Sequence, residues 1–433
     1  MGLPKKRKLY KKLIPRLVHS RKLRKIFFWT AIFIISVLNL FIASKFAFGN
    51  NVESITHEGI LKSQFASQSQ IAIIGADTIS PQKFQEMDIK VRSYPMWAHD
   101  FPCVYDFTPE SKDTGFIFIK LHKCASTTVA RIIRRISAIY GRKHKHLANQ
   151  DFKCKLHSKH GFAFGLQNIQ HRKRNQSYLF TFIREPTERF ISDFFYHGVS
   201  KNHTTPSFAN FTKFVDFKTE EFRGLGGYEF PYLLTDRSVV PPQTEEYIFW
   251  NPRQPESVQT PGLLRKRVEH IIHDYDFIGV TSRMDESLVA FSMLLKMPLA
   301  NVIYLHPRKV SGNYEYDKKR QICFKIQKSA LTDDMKEYLD SDGWKAKIAG
   351  DNLLFKAANL SLDQTIENII GKDIFDRKLE MYRRMMKAIQ NVCGGEDCDD
   401  QKCTSTGELR EKDLRPRDPK CNIDNCLKAA FSN

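Results

Sequence analysis

GFIFIKLHKCASTTVARIIRRI, residues 115–136, changes its hydrophobic period halfway along. The run from Gly115 to Lys120 is rich in aromatic and β-branched residues, which is typical of a short buried strand. From Ser126 to Tyr140, apolar residues recur at helical spacing with arginines on the opposite face. The stretch therefore predicts a strand over Gly115–Lys120 and a helix over Ser126–Tyr140, joined by a short turn.

Two later stretches repeat this strand–helix pattern. Tyr178–Ile183 predicts a strand, and Pro186 marks the start of a helix over Thr187–Tyr196. Asp276–Thr281 predicts another strand, followed by a helix over Asp285–Lys296. Alternating strands and helices indicate an α/β fold with a mainly parallel central sheet flanked by helices.

The turn after the first strand has the groups needed to bind a phosphate. Ser126, Thr127 and Thr128 fall at the predicted helix start, where backbone N–H groups and the helix dipole favour an anion. Lys120 and Lys123 flank the turn. The turn contains no glycine, so it is not a Walker A loop, which requires G-x-x-x-x-G-K-[ST]. The alternative interpretation is a buried strand followed by a helix that Ser126 merely caps.

A second anion site is predicted after the second strand. Arg184 stands at the strand end, and Ser192 lies eight residues further on, within the predicted helix. An arginine fork and a hydroxyl can bind a second phosphate. Arg189 is a further basic candidate, with a solvent-facing helical residue as its alternative interpretation.

Two other side chains lie in the first turn. His122 stands between the two lysines, whose positive charge lowers the pKa of a histidine and favours the neutral form that can accept a proton. This position favours a catalytic base over a structural histidine. We interpret Cys124 as a small buried thiol rather than a nucleophile.

FIFIKLHKCASTTV and FTFIREPTERFISDFFY together resemble the 5′-phosphosulfate loop and the 3′-phosphate motif of Golgi sulfotransferases. These enzymes use 3′-phosphoadenosine 5′-phosphosulfate (PAPS). The Lys-x-His-Lys-x-Ala-Ser-x-Thr pattern is most similar to the galactose 3-O-sulfotransferases, which include galactosylceramide sulfotransferase, although Leu121 and Cys124 stand where that family usually has Thr. Tyr275–Val289 and Asp351–Asn359 are similar to later segments of the family, and the resemblance covers about residues 110–385.

The resemblance implies a P-loop-like sulfotransferase fold and the transfer of a sulfuryl group from PAPS to a carbohydrate hydroxyl. The acceptor it implies is the 3-OH of galactose on a glycolipid or glycoprotein glycan, and it implies no metal. The roles that the resemblance implies are a catalytic base at His122, catalytic lysines at Lys120 and Lys123, 5′-phosphate contacts from Lys123, Ser126, Thr127 and Thr128, and 3′-phosphate contacts from Arg184 and Ser192.

The N-terminus predicts a membrane anchor. Ile26–Ser44 contains 19 residues without a charge, enough to cross a bilayer core of about 30 Å as a helix. Residues 1–25 hold 11 Lys and Arg and no acid, which indicates a cytoplasmic tail. We therefore expect a signal-anchor over residues 26–48 and a single-pass type II protein of the Golgi membrane with a lumenal body. The alternatives are a cleaved signal peptide, which the length of the span disfavours, and a buried core helix.

The predicted lumenal body has a stem over 49–110, a catalytic domain over 111–390 and a Cys-rich tail over 391–433. A long late helix is predicted over Glu367–Val392. Five of the nine cysteines fall in the tail, which predicts a disulfide-tied segment in an oxidising compartment. Because nine is odd, at least one thiol is free or paired between chains. The N-glycosylation pattern occurs at Asn175, Asn202, Asn210 and Asn359.

Other basic and metal-ligating residues admit two interpretations. Cys154, His157 and His160, with His144 and His146 upstream, could suggest a metal site, but their Lys-rich surroundings favour a basic loop. The basic stretch 141–174, which includes Arg172 and Arg174, is either a surface for an anionic acceptor or a solvated loop. Acceptor specificity is expected in loops such as Lys201–Gln259.

The remaining function classes can be compared on charge and motifs. The formal net charge of +20 falls to +9 without residues 1–25, so it is weak evidence for nucleic-acid binding. A kinase would need signatures that the chain lacks. Two alternatives stay open: a sulfotransferase for another sugar, such as a glycosaminoglycan, and a non-catalytic lumenal membrane glycoprotein that binds glycan or nucleotide. The sequence leaves the oligomeric state open, a homodimer included.

Overall fold

The structure is a computed structural model, and every residue that it describes falls within the unit Asp77–Asn433. The described residues are 89–98, 115–143, 156–160, 163, 169, 172, 174–221, 230–235, 261–304, 314–317, 319–393, 403, 406–408 and 423–431.

A four-stranded parallel sheet forms the centre of the fold. Its strands are β1 (Gly115–Ile119), β2 (Leu156–Lys159), β3 (Ser177–Ile183) and β4 (Phe277–Val280), in the order β2-β1-β3-β4. Every residue of β1, β3 and β4 is buried, which explains their mostly apolar sequences; the polar exceptions are Ser177 and Thr181 of β3. The predicted parallel α/β sheet is confirmed for these three strands. The short β2 was not predicted, because its sequence, LHSK, carries no strand pattern.

The described residues also form α-helices, several of which connect successive strands of the sheet. In chain order they are α1 (Ser126–Lys143), α2 (Pro186–Asp193), α3 (Phe208–Glu221), α4 (Phe230–Leu233), α5 (Pro261–Asp274), α6 (Met284–Leu294), α7 (Asp333–Asp340), α8 (Asp342–Lys347), α9 (Ala349–Thr365), α10 (Lys372–Cys393) and α11 (Ile423–Phe431). A two-stranded antiparallel hairpin joins β5 (Tyr314–Asp317) to β6 (Ile322–Lys325). The helices predicted after the first and third predicted strands are confirmed as α1 and α6.

Aromatic rings fill two buried clusters of the fold. On the sheet, Phe118 stacks on Phe180 with 4.9 Å between ring centroids. A second buried cluster joins α2 to α3, α7 and α8, where Phe190 lies 4.7 Å from Trp344 between ring centroids. Tyr94, from the segment predicted as stem, also belongs to this core: it is fully buried and lies 5.2 Å from Phe277 between ring centroids.

The helix predicted over Thr187–Tyr196 is confirmed as helical throughout, but α2 ends at Asp193 and continues directly as a π-helix over Phe194–Ser200. The predicted long helix Glu367–Val392 is interrupted at Gly371, whose φ of 87° is left-handed and accessible to glycine at little cost. The loop region Lys201–Gln259 also contains the helix α3, which the sequence analysis did not predict.

Two disulfides tie the Cys-rich tail to the body. Cys323 of β6 pairs with Cys403, and Cys393 at the end of α10 pairs with Cys426 of α11. The predicted disulfide-tied tail is therefore confirmed in part, with the correction that one partner, Cys323, belongs to the hairpin. Cys103, Cys154, Cys398 and Cys421 lie outside the described residues.

The predicted anchor over residues 26–48 lies outside the described residues, as do the tail 1–25 and most of the stem. Within the described part of the chain, no helix combines the length and apolarity needed to cross a membrane. Of the predicted glycosylation sites, Asn175 and Asn202 are exposed. Asn210 and Asn359 lie on helices, half-buried, and their Nδ2 groups donate to the carbonyls of Thr205 and Phe355.

Gly279 is expected to be intolerant of a side chain. A Cβ at this position in β4 would lie 2.4 Å from the ring of Phe182 in the neighbouring strand. Gly279→Ala should therefore lower the free energy of unfolding by about 1–3 kcal/mol, measured by urea unfolding. Gly262 of α5 is the matched control, because a Cβ at that position would meet nothing within 4 Å. Equal losses in the two variants would contradict the steric explanation.

Candidate active site

The candidate site lies where the strand order changes direction. From β1 the chain continues to β2 on one side of β1, and β3 lies on the other side. In open parallel sheets, ligands bind at such a switch point, beyond the carboxyl ends of the strands. β1 ends at Ile119 beside Thr181, whose Oγ1 donates to the Ile119 carbonyl at 2.9 Å. The turn after β1 and the chain after β3 therefore start from the same edge of the sheet.

The turn between β1 and α1 adopts a costly backbone conformation. Lys123 has a φ of 63° and Ala125 a φ of 52°, both in the left-handed region. For residues with a Cβ this conformation costs about 1–2 kcal/mol each. Left-handed residues in a turn can direct successive N–H groups towards an anion, and strain of this kind clusters at functional sites. The turn lacks glycine, so no residue type in it indicated this conformation.

The predicted phosphate-binding residues lie at this turn and in the first turn of α1. Ser126 is buried, Thr128 half-buried and Thr127 exposed. Lys120 is half-buried, and partial burial together with the charge of Arg134 lowers its pKa. A cation therefore lies close to the start of α1, where the helix dipole also favours an anion.

Lys123 makes a contact that the sequence analysis did not predict. Its Nζ lies 3.9 Å above the ring centroid of Tyr196, a cation–π distance. The Tyr196 hydroxyl donates to Oε1 of Glu315 at 2.8 Å. Glu315 belongs to β5, so the hairpin positions the ring on which Lys123 rests.

His122 is surrounded by two other histidines. Its ring stacks on His160 with 4.3 Å between centroids, and His197 approaches edge-on at 5.8 Å. Although part of the ring is exposed to solvent, burial of the remainder lowers the pKa of His122 to about 4, assisted by His160, His197 and Lys218 and opposed by Asp193. His122 is therefore neutral near pH 7. The direction of this shift agrees with the sequence expectation, but its cause differs: burial, the two histidines and Lys218 lower the pKa, rather than Lys120 and Lys123.

His160 is a site residue to which the sequence analysis gave no such role. It directly follows β2, and its ring hydrogen-bonds to the Lys120 backbone. Partial burial and the charge of Lys120 lower the pKa of His160. The available signal was the Cys154-x2-His157-x2-His160 spacing, which by itself indicated only a metal site or a basic loop. Among the described residues, no group of three or more His, Cys, Asp or Glu is arranged to hold a metal ion.

The second predicted anion site lies after β3. Arg184 is half-buried and contacts Glu188 Oε2 at 3.3 Å through both Nε and an NH2 group. Ser192 is half-buried in the last turn of α2. Arg189 is buried, which rules out the solvent-facing interpretation, and its charge acts on Asp193.

Arg172 and Arg174 lie away from this site. Arg172 forms an ion pair of 2.6 Å with Asp276, which precedes β4, and Arg174 pairs with Asp274. Both therefore lie at the amino-terminal edge of the sheet, opposite the turn after β1. The Arg172 side chain is only 5% exposed in its ion pair, so it is not available to an acceptor, whereas the two interpretations of the rest of the basic stretch stay predictions. Of the other residues in the basic stretch, His144 and His146 lie outside the described part and His157 is described only through its backbone in β2.

Glu188 is expected to weaken anion binding at Arg184. An exposed i,i+4 ion pair contributes only about 0.3–0.5 kcal/mol, so a phosphate can displace it, but the carboxylate remains nearby and repels the ligand. Glu188→Gln should therefore strengthen binding of adenosine 3′,5′-bisphosphate about two- to fivefold at low salt. Calorimetry at two salt concentrations measures the effect. Unchanged affinity at low salt would place the phosphate away from Arg184, and Glu337→Gln, on the exposed side of α7, is the control.

Comparison with known protein families agrees with this geometry. Residues 107–301 match the family model described as the Sulfotransferase family. The match includes β1 to β4, the turn after β1 and Arg184, and it supports a sulfotransferase. A sulfotransferase uses PAPS as its sulfate donor in general. No curated protein and no solved structure gives a significant match.

Proposed function

We propose that this sulfotransferase transfers a sulfuryl group from PAPS to a hydroxyl of a carbohydrate. The acceptor is the 3-OH of galactose on a glycolipid or glycoprotein glycan. The protein acts as a single-pass type II enzyme of the Golgi membrane, with its catalytic domain in the lumen. The resemblance of the Lys120–Thr128 turn to the galactose 3-O-sulfotransferases supports this acceptor.

The observation that carries the proposal is the meeting of two cationic strand ends at one edge of the sheet. The turn after β1 carries Lys120 and Lys123, and Arg184 follows the neighbouring strand. PAPS has phosphate groups at both the 5′ and 3′ positions, so its binding needs two such sites. The strained turn and the start of α1 suit the 5′ end, and Arg184 with Ser192 suits the 3′-phosphate.

The residues of the turn have distinct chemical tasks in this proposal. When bound, PAPS supplies the sulfuryl group: the acceptor oxygen bonds to sulfur while the bond from sulfur to the bridging oxygen breaks, leaving its electron pair on the nucleotide. Lys120 and Lys123 stabilise the charge that develops on the oxygens. His122 accepts the hydroxyl proton, which its neutral state permits. Positioning and charge stabilisation supply most of the catalysis, as in phosphoryl transfer.

Binding of the anionic nucleotide is expected to raise the pKa of His122 above its value of about 4 in the free protein. Nearby negative charge favours the imidazolium, which makes His122 a stronger base when the donor is present. NMR titration of histidine-labelled protein with and without adenosine 3′,5′-bisphosphate measures this shift, and the His122→Phe spectrum assigns the signal. An unchanged or lower pKa would mean that the nucleotide binds away from His122.

The test of function is sulfate transfer from radiolabelled PAPS by the full-length protein in detergent. The acceptors are galactose-terminated glycans, galactosylceramide and glycosaminoglycans. We expect label on a galactose-terminated acceptor, with the linkage at the 3-OH. Label on a glycosaminoglycan alone would retain the sulfotransferase and refute the galactose assignment. PAPS binding without transfer to any acceptor would favour a non-catalytic binder, and a folded protein that binds no PAPS would refute the proposal.

A further inference from the structure

A buried carboxylate and a histidine form a pair beside His122. Asp193 is the last residue of α2, and its side chain is 2% exposed. Its Oδ1 lies 2.7 Å from Nδ1 of His197, and Lys218 of α3 lies 3.5 Å from its Oδ2. Burial alone would raise the pKa of Asp193, but the His197 hydrogen bond and the charges of Arg189 and Lys218 hold it well below the usual range. Asp193 is therefore an ionised carboxylate.

The charge of Asp193 determines the tautomer of His197. An ionised carboxylate can only accept hydrogen bonds, so Nδ1 of His197 carries the proton. In the neutral ring, Nε2 then keeps its lone pair. A histidine oriented in this way by a buried carboxylate is the arrangement that enzymes use to hold an imidazole for proton transfer.

The pair contacts the proposed base directly. The ring of His197 lies 5.8 Å from the ring of His122, with an interplanar angle of 80°. Ring contacts with His160 and His197 hold the His122 side chain in place. His160 is anchored through the Lys120 backbone, and His197 is anchored through Asp193.

The charges around His122 also indicate that Asp193 assists it. Among the described groups that act on His122, Lys218 and the two histidines disfavour its positive charge, whereas Asp193 favours it. When His122 accepts a proton, the imidazolium needs a nearby anion in a region that is partly desolvated. The described charged or titratable groups close to the pair also include Arg189 and Lys218, and Tyr196, whose ring lies 4.6 Å from that of His197 between centroids. Lys123 and Glu315 in turn contact Tyr196.

We propose that Asp193 and His197 are positioning residues of the sulfuryl transfer: His197 fixes the His122 ring, and the Asp193 carboxylate stabilises the imidazolium that His122 becomes. This inference rests on the proposed function, because it assumes that His122 is the base. Neither residue has to contact the nucleotide. Their effect therefore falls on kcat and its pH dependence, whereas affinity for PAPS is unaffected.

The decisive variant is Asp193→Asn, which retains the shape and an oxygen acceptor for His197 but removes the charge. Loss of the anion lowers the pKa of His122, so the acidic limb of the kcat profile should move to lower pH. We expect the plateau kcat to fall about tenfold or more, with KM for PAPS changed less than about twofold. Lys218→Met removes a cation instead, which raises the pKa of His122. The acidic limb of its kcat profile should therefore move to higher pH. His273→Asn, on the exposed face of α5, is the control for histidine replacement.

A purely structural function predicts a different result. Asp193→Asn would then lower stability or kcat without moving the acidic limb of the kcat profile. Asp193→Asn and Lys218→Met would also not shift that limb in opposite directions. His197→Asn supplies a second test: its amide can still donate to Asp193, but the ring contact with His122 is lost, so kcat should fall while the free energy of unfolding is largely retained. Activity equal to wild type in both variants would refute the proposal.

An NMR measurement separates this inference from the proposed function. The pKa of His122 is measured in wild type, Asp193→Asn and Lys218→Met, without substrate. We expect it to decrease in the first variant and to increase in the second. This result can be obtained even if no acceptor is sulfated, in which case the proposed function fails and the coupling of the pair to His122 stands. Equal values in the three proteins would refute the coupling whatever the activity.

Discussion

Replacing His122 by alanine is expected to lower kcat for sulfate transfer by about 10²- to 10⁴-fold, the usual contribution of a general base. The His122 ring stacks on His160 at the turn after β1, and its low pKa keeps it neutral near pH 7. Affinity for adenosine 3′,5′-bisphosphate should change less than about threefold, because the proposed function gives His122 no phosphate contact. Initial rates with radiolabelled PAPS and calorimetry provide the two measurements.

His122→Phe separates chemistry from packing in this experiment. The phenyl ring can retain the stack on His160 but has no nitrogen to accept a proton. We expect it to be as inactive as the alanine variant and closer to wild type in stability. If His122→Phe kept most of the activity, the base would have to be another group, and His160 would be the first to test because it contacts the same ring.

The sequence predicted the strands whose residues are all buried. β1, β3 and β4 carry mostly apolar runs because their residues are buried on both faces of the sheet, and such runs are visible without a structure. The edge strand β2 has only four residues and a polar sequence, so backbone pairing with β1 defines it rather than hydrophobic burial. The interaction between His160 and His122 depends on that pairing, which explains why sequence reasoning did not place His160 in the site.

The remaining site features differ in how far they could have been predicted. Asp193 and His197 are four residues apart, the spacing of neighbours on a helix, so the sequence carries a local signal for their hydrogen bond. The left-handed turn had none, because its residues are Lys123 and Ala125 rather than glycine. Long-range contacts such as Tyr196–Glu315 join segments more than a hundred residues apart and follow only from the fold.

The Cys-rich tail is connected to the candidate site through the hairpin. Cys403 is bonded to Cys323 of β6, and Gly407 lies against the ring of Tyr314 in β5. The adjacent residue of β5, Glu315, accepts the hydrogen bond from Tyr196 that orients the ring beneath Lys123. The tail therefore supports the hairpin, and the hairpin supports Tyr196 beside the turn after β1.

Removing the Lys123 side chain is the second change expected to have a large effect. Lys123→Ala should lower kcat about 10²- to 10³-fold, because the proposed function assigns this cation to the charge on the bridging oxygen. Affinity for adenosine 3′,5′-bisphosphate should also fall about tenfold or more, since a hydrogen bond to a charged group contributes about 1.5–3 kcal/mol. Transfer assays and calorimetry measure these effects separately.

Alanine is the appropriate replacement because it retains the Cβ and hence the cost of the left-handed backbone at φ 63°. Lys123→Gly would also relieve that cost and confuse loss of charge with a change in the turn. Lys201→Ala, just beyond the π-helix, is the matched control for removing a lysine.

Tyr196→Leu tests the position of the cation: it keeps Lys123 but removes the ring that holds its Nζ, so kcat should fall by a smaller factor than in Lys123→Ala. Suppose instead that Lys123→Ala binds nucleotide and transfers sulfate as well as Lys201→Ala. The cation–π contact with Tyr196 would then be only structural, and Lys120 would be the lysine of the turn that binds the nucleotide.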